Sequence, residues 1–421
     1  MTSNLAALKW RVLLGCFLSY MFDAVDIIIL AIAMPDITAS LHISQAQAGL
    51  LATATLLGIG LSSVVMGRLA DTLGRRTALL LSLVTFGTLT MAIAAATDWR
   101  QILLLRFLAG LGLGGVWSAA AAHVNETWPA HQRGRATAFV LSSFSVGAAV
   151  AALAAAWLLP RHGWRMLFLS CGAAVVIAIV YVWLRVPESE VWRAQRSGSP
   201  SAKAGAGRAN LGGLFAPGML RTTLLGTATS ALALSAYWGA STWLPTFLVR
   251  ERGLDVATMA SFVAVLNLGM FLGYNVFGVL ADRIGKQRAV IASLVGSGLT
   301  LPVYTLVADH TALLVLGPVF AFFMAFAGLV GSYFAELFPT HIRATGAGFC
   351  FNVGRGISAF SPLALGSAAT AFGFAPGIAL CGVLFLLSAA VVALLPRAAS
   401  GQEACADTSA THGTAPSLDA R

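Results

Sequence analysis

The chain has 421 residues, of which 58% are hydrophobic and only 10% charged, and its mean hydropathy is +0.83. That is too little polar surface to cover a folded globule of this length, which excludes a soluble domain and predicts an integral membrane protein. The formal charge of +10 does not indicate a nucleic-acid partner, because the basic residues sit in short turns between apolar runs instead of gathering in one patch.

Lys9 and Arg11 precede a long apolar run and so imitate a secretory signal. The run carries Asp23 and Asp26 and leads into many further spans, so an uncleaved first helix is expected. Apolar stretches of about 20 residues, long enough to cross a bilayer as helix, occur twelve times. The first six cover approximately 11–34, 48–70, 77–96, 101–124, 135–158 and 164–186. The second six cover approximately 220–243, 258–281, 288–308, 311–335, 345–369 and 373–396. Between the sets, Ser197-Gly198-Ser199-Pro200-Ser201 and Ala204-Gly205-Ala206-Gly207 have a composition that cannot bury a core and reads as a linker. The predicted organisation is an N-terminal six-helix half (1–186), a cytoplasmic linker (187–217), a C-terminal six-helix half (218–396) and a disordered cytoplasmic tail (397–421).

Orientation follows from the basic residues. With the N-terminus inside, nineteen Lys and Arg fall on the cytoplasmic side, against five (Arg100, Arg161, Arg165, Arg250 and Arg252) outside, which places both termini in the cytoplasm. Arg106 and Arg355 lie inside spans. Of the five cysteines, four are in apolar runs and none forms a C-x-x-C pair, so neither a disulfide framework nor a metal site is expected. The absence of a P-loop, a nucleophile elbow or a metal-ligand cluster argues against an enzyme.

Two short segments occur twice. Gly67-Arg68-Leu69-Ala70-Asp71-Thr72-Leu73-Gly74-Arg75-Arg76 returns as Gly278-Val279-Leu280-Ala281-Asp282-Arg283-Ile284-Gly285-Lys286-Gln287-Arg288. Glu126-Thr127-Trp128-Pro129 followed by Arg133-Gly134-Arg135 returns as Glu336-Leu337-Phe338-Pro339 followed by Arg343-Ala344-Thr345. A single copy suits any tight cytoplasmic turn, but two copies at matching positions are the mark of a duplicated transporter. With Arg106-Phe107-Leu108-Ala109-Gly110-Leu111-Gly112-Leu113-Gly114-Gly115, these loops resemble the major facilitator superfamily over roughly residues 9 to 397. The resemblance implies an all-α membrane protein of twelve transmembrane helices, in two pseudo-symmetric six-helix halves with the site between them. It also implies a multi-pass monomer in a bacterial inner membrane. Its partners are a small organic anion and the lipid bilayer, and it needs no cofactor beyond protons as the coupling ion.

Ionisable groups inside hydrocarbon cost roughly 2.5 to 3.5 kcal/mol each on insertion scales, so each is a functional candidate. Asp23 and Asp26, three residues apart, share a helix face, and two such carboxylates in low dielectric are not expected both to stay ionised. At least one is a candidate proton carrier; the alternative is a structural pair with Arg106. Arg106 and Asp26 lie at comparable depth, and the resemblance associates an arginine at the position of Arg106 with proton coupling. Arg355 lies near the midplane on a span without an acidic residue. It needs an anion from another helix or from a substrate carboxylate bound in a fork. Tyr20, Tyr237, Trp238, Tyr274 and Asn275 are candidates for stacking and hydrogen bonding to a planar acid, with ordinary packing as the alternative for each.

At the cytoplasmic ends, Glu126 is expected to pair with Arg133 or Arg135, and Glu336 with Arg343, joined to Asp71 and Asp282. With Gly67, Gly74, Arg75 and Gly285 these residues form the predicted gate. Its salt bridges are expected to hold the outward-facing state and break on inward opening, and plain snorkelling is the alternative. Within the superfamily, Phe22-Asp23-Ala24-Val25-Asp26 resembles the D-G-F/Y-D pattern of aromatic acid:proton and sialate:proton symporters, with Ala24 and Val25 departing from it. Tyr237-Trp238-Gly239-Ala240-Ser241-Thr242-Trp243, Gly354-Arg355 and Pro187-Glu188-Ser189 are similar to the same groups. They imply proton-coupled import of a small organic anion, an aromatic or other carboxylic acid, by alternating access. A sugar porter would want seventh-span glutamines, and a drug/proton antiporter a fifth-span Gly-Pro pair. A non-transporting receptor would want a long signalling extension.

Overall fold

A computed structural model describes residues 2–129, 132–196, 211–339 and 342–396. The first half contains α1 (Thr2–Leu41), α2 (Gln45–Leu73), α3 (Arg75–Ile93), α4 (Trp99–Thr127) and α5 (Arg133–Arg185). A short helix, α6 (Glu190–Arg196), and a 3-10 turn (Leu211–Phe215) follow. The second half contains α7 (Leu220–Arg250), α8 (Val256–Ile284), α9 (Lys286–Leu306), α10 (His310–Phe323), α11 (Phe326–Leu337), α12 (Arg343–Ser358), α13 (Ser361–Phe372) and α14 (Phe374–Ala393). Among the described residues eight stretches are long and apolar enough to cross a membrane, one of them His310–Leu337, which α10 and α11 make together.

The crossings do not coincide one to one with these helices. α5 makes two, because Gly163 (φ 72°, ψ −179°) breaks the helical path just after Pro160. The second arm restarts at Trp164, whose N–H donates to Asp36 Oδ2 of α1 at 3.0 Å, while its indole donates to Ser40 Oγ at 2.9 Å. A carboxylate at a helix N-terminus satisfies free N–H groups and complements the dipole there. α10 and α11 together make one crossing, as do α12 and α13, so twelve crossings result, six in each half. The sequence predicts the tenth and eleventh spans as unbroken. Neither a proline nor a glycine stands at Met324-Ala325, so nothing local announces that interruption, whereas Pro362 at the start of α13 marks the one at Ala359-Phe360. Both come at membrane depth, where non-helical backbone is tolerated only against protein or a cavity.

The halves meet at their outer ends. α2 packs on α13, the outer part of the eleventh crossing, and much less on α12, the inner part. The approach is so close that a Cβ on Gly49 would lie 2.5 Å from the Pro362 carbonyl, and one on Gly366 would lie 2.6 Å from the Gln45 carbonyl. Arg250, at the outer end of α7, donates to Thr38 Oγ1 of α1 at 3.1 Å. On the cytoplasmic side Asn352 and Val353 of α12 are exposed, as are Leu61 and Val65 of α2. The two halves are therefore closed against each other at the ends where α2 begins and α7 finishes.

Candidate functional site

The most deeply buried charges form one network. Arg106 of α4 is fully buried, and its Nη1 meets Asp26 Oδ2 of α1 at 3.0 Å. Its Nη2 donates to the Asp26 carbonyl at 3.3 Å and its Nε to Thr55 Oγ1 of α2 at 3.0 Å. The hydroxyl of Thr90 on α3 donates to Asp26 Oδ1. Four helices thus hold one ion pair whose two carboxylate oxygens both have donors, the condition under which a buried pair is not left as a costly unmet charge. Thr55 and Thr90 are absent from the sequence-based candidates. In a membrane helix a threonine ordinarily bonds its own preceding turn, so nothing in the sequence sets these two apart.

One turn toward the cytoplasm, Asp23 is in a different position. It is buried, yet its carboxylate has no hydrogen bond or salt bridge among the described residues. It interacts electrostatically with Asp26 and with Arg355 of α12. The Arg355 guanidinium in turn lies in the field of Tyr20 and Asp23, stacks 5.0 Å from the centre of the Phe351 ring, and makes no salt bridge among the described residues. Tyr20 also feels Tyr274, and Tyr237 feels both Tyr20 and Tyr274. Tyr20 and Asp23 from the first half and Arg355, Tyr237 and Tyr274 from the second therefore converge where the halves face each other. Tyr20 rests on Trp117 and Phe144 at ring separations of 5.2 and 5.8 Å, and Tyr237 on Trp238 at 4.9 Å.

Asn275 does not join this group. It is exposed, and its amide Nδ2 donates to the Phe271 carbonyl of its own helix at 2.8 Å. Tyr274 precedes it, and with adjacent residues on a helix about 100° apart, Asn275 is the one turned to the exposed side.

At the cytoplasmic ends the duplication appears as geometry. Gly74 (φ 104°) separates α2 from α3, and Gly285 (φ 90°) separates α8 from α9. The next residue is basic in each copy and meets the glutamate of the other repeated segment. Arg75 holds Glu126 (Nη2 to Oε1 2.8 Å, Nε to Oε2 3.1 Å), and Lys286 holds Glu336. The expected pairing of Glu126 with Arg133 or Arg135 is not seen. Arg133 donates its Nε to the Trp128 carbonyl at 3.0 Å, and Arg135 is exposed at the start of α5. Both arginines follow the turn after α4, whereas Arg75 stands beside the end of α4 and reaches Glu126 directly. Asp71 joins the first cluster through Arg75 Nη1 at 3.1 Å but is 72% exposed; Asp282 is exposed and unpaired among the described residues. The surroundings of Gly67 and the side chain of Arg343 lie outside the described residues.

Both ion pairs are intact while the outer side is sealed, and each stays within one half. Glu188 is a further member. Its carboxylate accepts the Arg76 N–H at 3.0 Å and the Thr77 N–H at 3.4 Å, capping α3, and a Cβ on Gly74 would lie 2.2 Å from its Oε2. Glu126→Gln takes the charged partner from Nη2 and Nε of a largely buried guanidinium, leaving Nη1 on Asp71 and the Ala70 carbonyl, whereas Asp71→Asn removes only a solvated partner. The first should cost about 1–3 kcal/mol and the second well under 1 kcal/mol. Melting of the purified variants checks this, and equal shifts would contradict it.

Comparison with known proteins adds the following. The model of the Major Facilitator Superfamily matches residues 16–288. The cis,cis-muconate transport protein of Acinetobacter baylyi is 28% identical over 396 residues, covering 93% of this chain and 95% of that protein. The gallate transporter of Pseudomonas putida is 29% identical over 415 residues, covering 93% of this chain and 91% of that protein. The crystal structure of a D-xylose-proton symporter superposes with a TM-score of 0.75 over 93% of this chain and 99% of that one. At 16% identity this likeness bears on the fold alone.

Proposed function

We propose, from the premise that this chain belongs to the major facilitator superfamily, that it is a proton-coupled symporter importing a small carboxylic acid across the bacterial inner membrane. One observation carries the reading: Arg355 lies in the field of Tyr20 and Asp23 of the other half and makes no salt bridge among the described residues. A guanidinium at membrane depth requires an anion, and its planar fork matches a carboxylate. The carboxylic-acid relatives support the substrate class.

Asp23 supplies the coupling. A proton arriving at Asp26 must displace Arg106 or Thr90, whereas one arriving at Asp23 displaces nothing. While Asp23 is ionised, it competes with the substrate for Arg355. Protonation from the outer side removes the competitor, and the acid binds as its anion. Loss of the proton to the cytoplasm restores the Asp23 charge and expels the acid. The Asp23–Arg355 pair has no net charge when empty. With Asp23 protonated and a monocarboxylate on Arg355 the site is again neutral, so one proton and one monoanion cross together without net charge movement. The carrier alternates between halves joined outside and halves joined inside.

Asp23→Asn fixes the site in its neutral form. In proteoliposomes it should abolish accumulation driven by an inward proton gradient and leave exchange of labelled for unlabelled acid at equal concentrations. Retained accumulation against a gradient would move the proton site elsewhere.

A further inference from the structure

Outward of Asp23, two adjoining cavities lie between the halves and share Ile28, Ala31 and Ser241. Asp23, Ile27 and Ala31 follow one another at four-residue steps along one face of α1, a rise of about 12 Å. Across from them, α7 presents Trp238, Ser241 and Thr242. The walls are mostly aliphatic, so the space suits an apolar body. Thr55, Arg106, Ser241 and Thr242 are the polar residues of the smaller cavity and Asn267 of the larger, and the Trp238 indole N–H stands among them as an unmet donor. The residue is 8% exposed, and its Nε1 has no acceptor among the described residues.

Other tryptophans show how unusual this is. Trp243 Nε1 donates to the Pro362 carbonyl at 2.8 Å, Trp164 Nε1 to Ser40 Oγ at 2.9 Å, and Trp192 Nε1 to the Asp71 carbonyl at 2.7 Å. A hydroxyl can turn toward the carbonyl of its own preceding helical turn, but an indole N–H is fixed in the ring plane and must be met from outside. Trp128 also has an unpartnered indole N–H, but it does not line the cavities. A buried donor without an acceptor is costly, and one that lines a cavity between two moving halves can be met by what enters it.

We propose that these cavities form the subsite for the body of the transported acid, a planar ring or conjugated chain. Trp238 donates its indole N–H to a hydrogen-bond acceptor on the part of that body remote from the carboxylate. The subsite rests on the reading of Arg355 as the carboxylate site. With the carboxylate at Arg355, the body projects outward past Tyr237, which borders the larger cavity and lies in the field of Tyr20 and Tyr274. Trp238 is thereby the specificity residue that separates acids with a remote acceptor from plain aromatic acids of the same size.

The probes are a hydroxybenzoate and the methylbenzoate of the same substitution, which differ in the acceptor and hardly in size. Binding of the three isomeric pairs is measured by calorimetry on the purified full chain. The wild type should prefer the best hydroxy acid over its methyl counterpart by about tenfold, the scale of one buried hydrogen bond. Trp238→Phe, which keeps the ring and removes the N–H, should bring that ratio to about one. The methyl acid should change by less than about twofold, which also shows that the variant is folded. A wild-type ratio of one, or an unchanged ratio in Trp238→Phe, overturns the hydrogen bond. Equal loss of both acids assigns Trp238 to packing and overturns it as well. If neither acid binds the wild type, the carboxylate site itself falls, and the subsite with it.

Discussion

Arg355→Ala should weaken binding of the transported acid thirtyfold or more, roughly 2 to 5 kcal/mol for a buried, charge-assisted pair. The size follows from the setting. Arg355 is half-buried, its guanidinium faces Asp23 and Tyr20 of the other half, and no fixed carboxylate is bonded to it among the described residues. Arg355→Lys keeps the charge but loses the planar fork, so it should fall between wild type and alanine. The uncharged amide of the same acid should be nearly indifferent to both changes. Calorimetric titration of acid and amide against the three proteins checks this. Equal losses for the two ligands would make Arg355 a structural residue.

Arg106→Ala should be the most destabilising single change at the site, by about 3–5 kcal/mol, because it leaves Asp26 as a buried charge with Thr90 as its remaining donor. The cost is that of breaking the pair and differs from what the pair contributes. Removing both charges with apolar residues of similar volume is often neutral. The double variant Asp26→Leu with Arg106→Met should therefore melt well above Arg106→Ala alone. If single and double variants melt together, the pair is not an energetic unit. The measurement also separates the two carboxylates, since Asp23→Asn removes no hydrogen bond of the described structure and should melt close to wild type.

Much of this could be read in the chain because periodicity and duplication are local signals. Twenty-residue apolar runs place the crossings without tertiary information, and the placement of Lys and Arg gives their expected orientation. The repeated loops point to the glycines at 74 and 285 and to the basic residues that follow them. The Asp26–Arg106 pair was within reach because depth along a helix is simple arithmetic once the spans are known. What stayed hidden depends on side chains meeting across helices. Thr55 and Thr90 look like any threonine in a span, and the partner of Glu126 depends on how α3 and α4 are set side by side. Asn275 has the chemistry to bond a planar acid, but its rotation about the axis of α8, set by how that helix packs, puts it on the exposed side. The interruption at Met324 has no breaker residue to mark it.

Proton-coupled carriage of a carboxylic acid is tested most directly by uptake into proteoliposomes holding the wild-type protein. A panel of labelled carboxylic acids is followed with and without an inward proton gradient, alongside the matching amides. At least one acid should accumulate above its outside concentration only when the gradient is present, and a protonophore should collapse that accumulation. A membrane potential alone should drive no accumulation of a monocarboxylate, because the coupled step moves no net charge. Uptake of acids that is the same with and without the gradient, or amides accumulating as well as acids, would contradict the account.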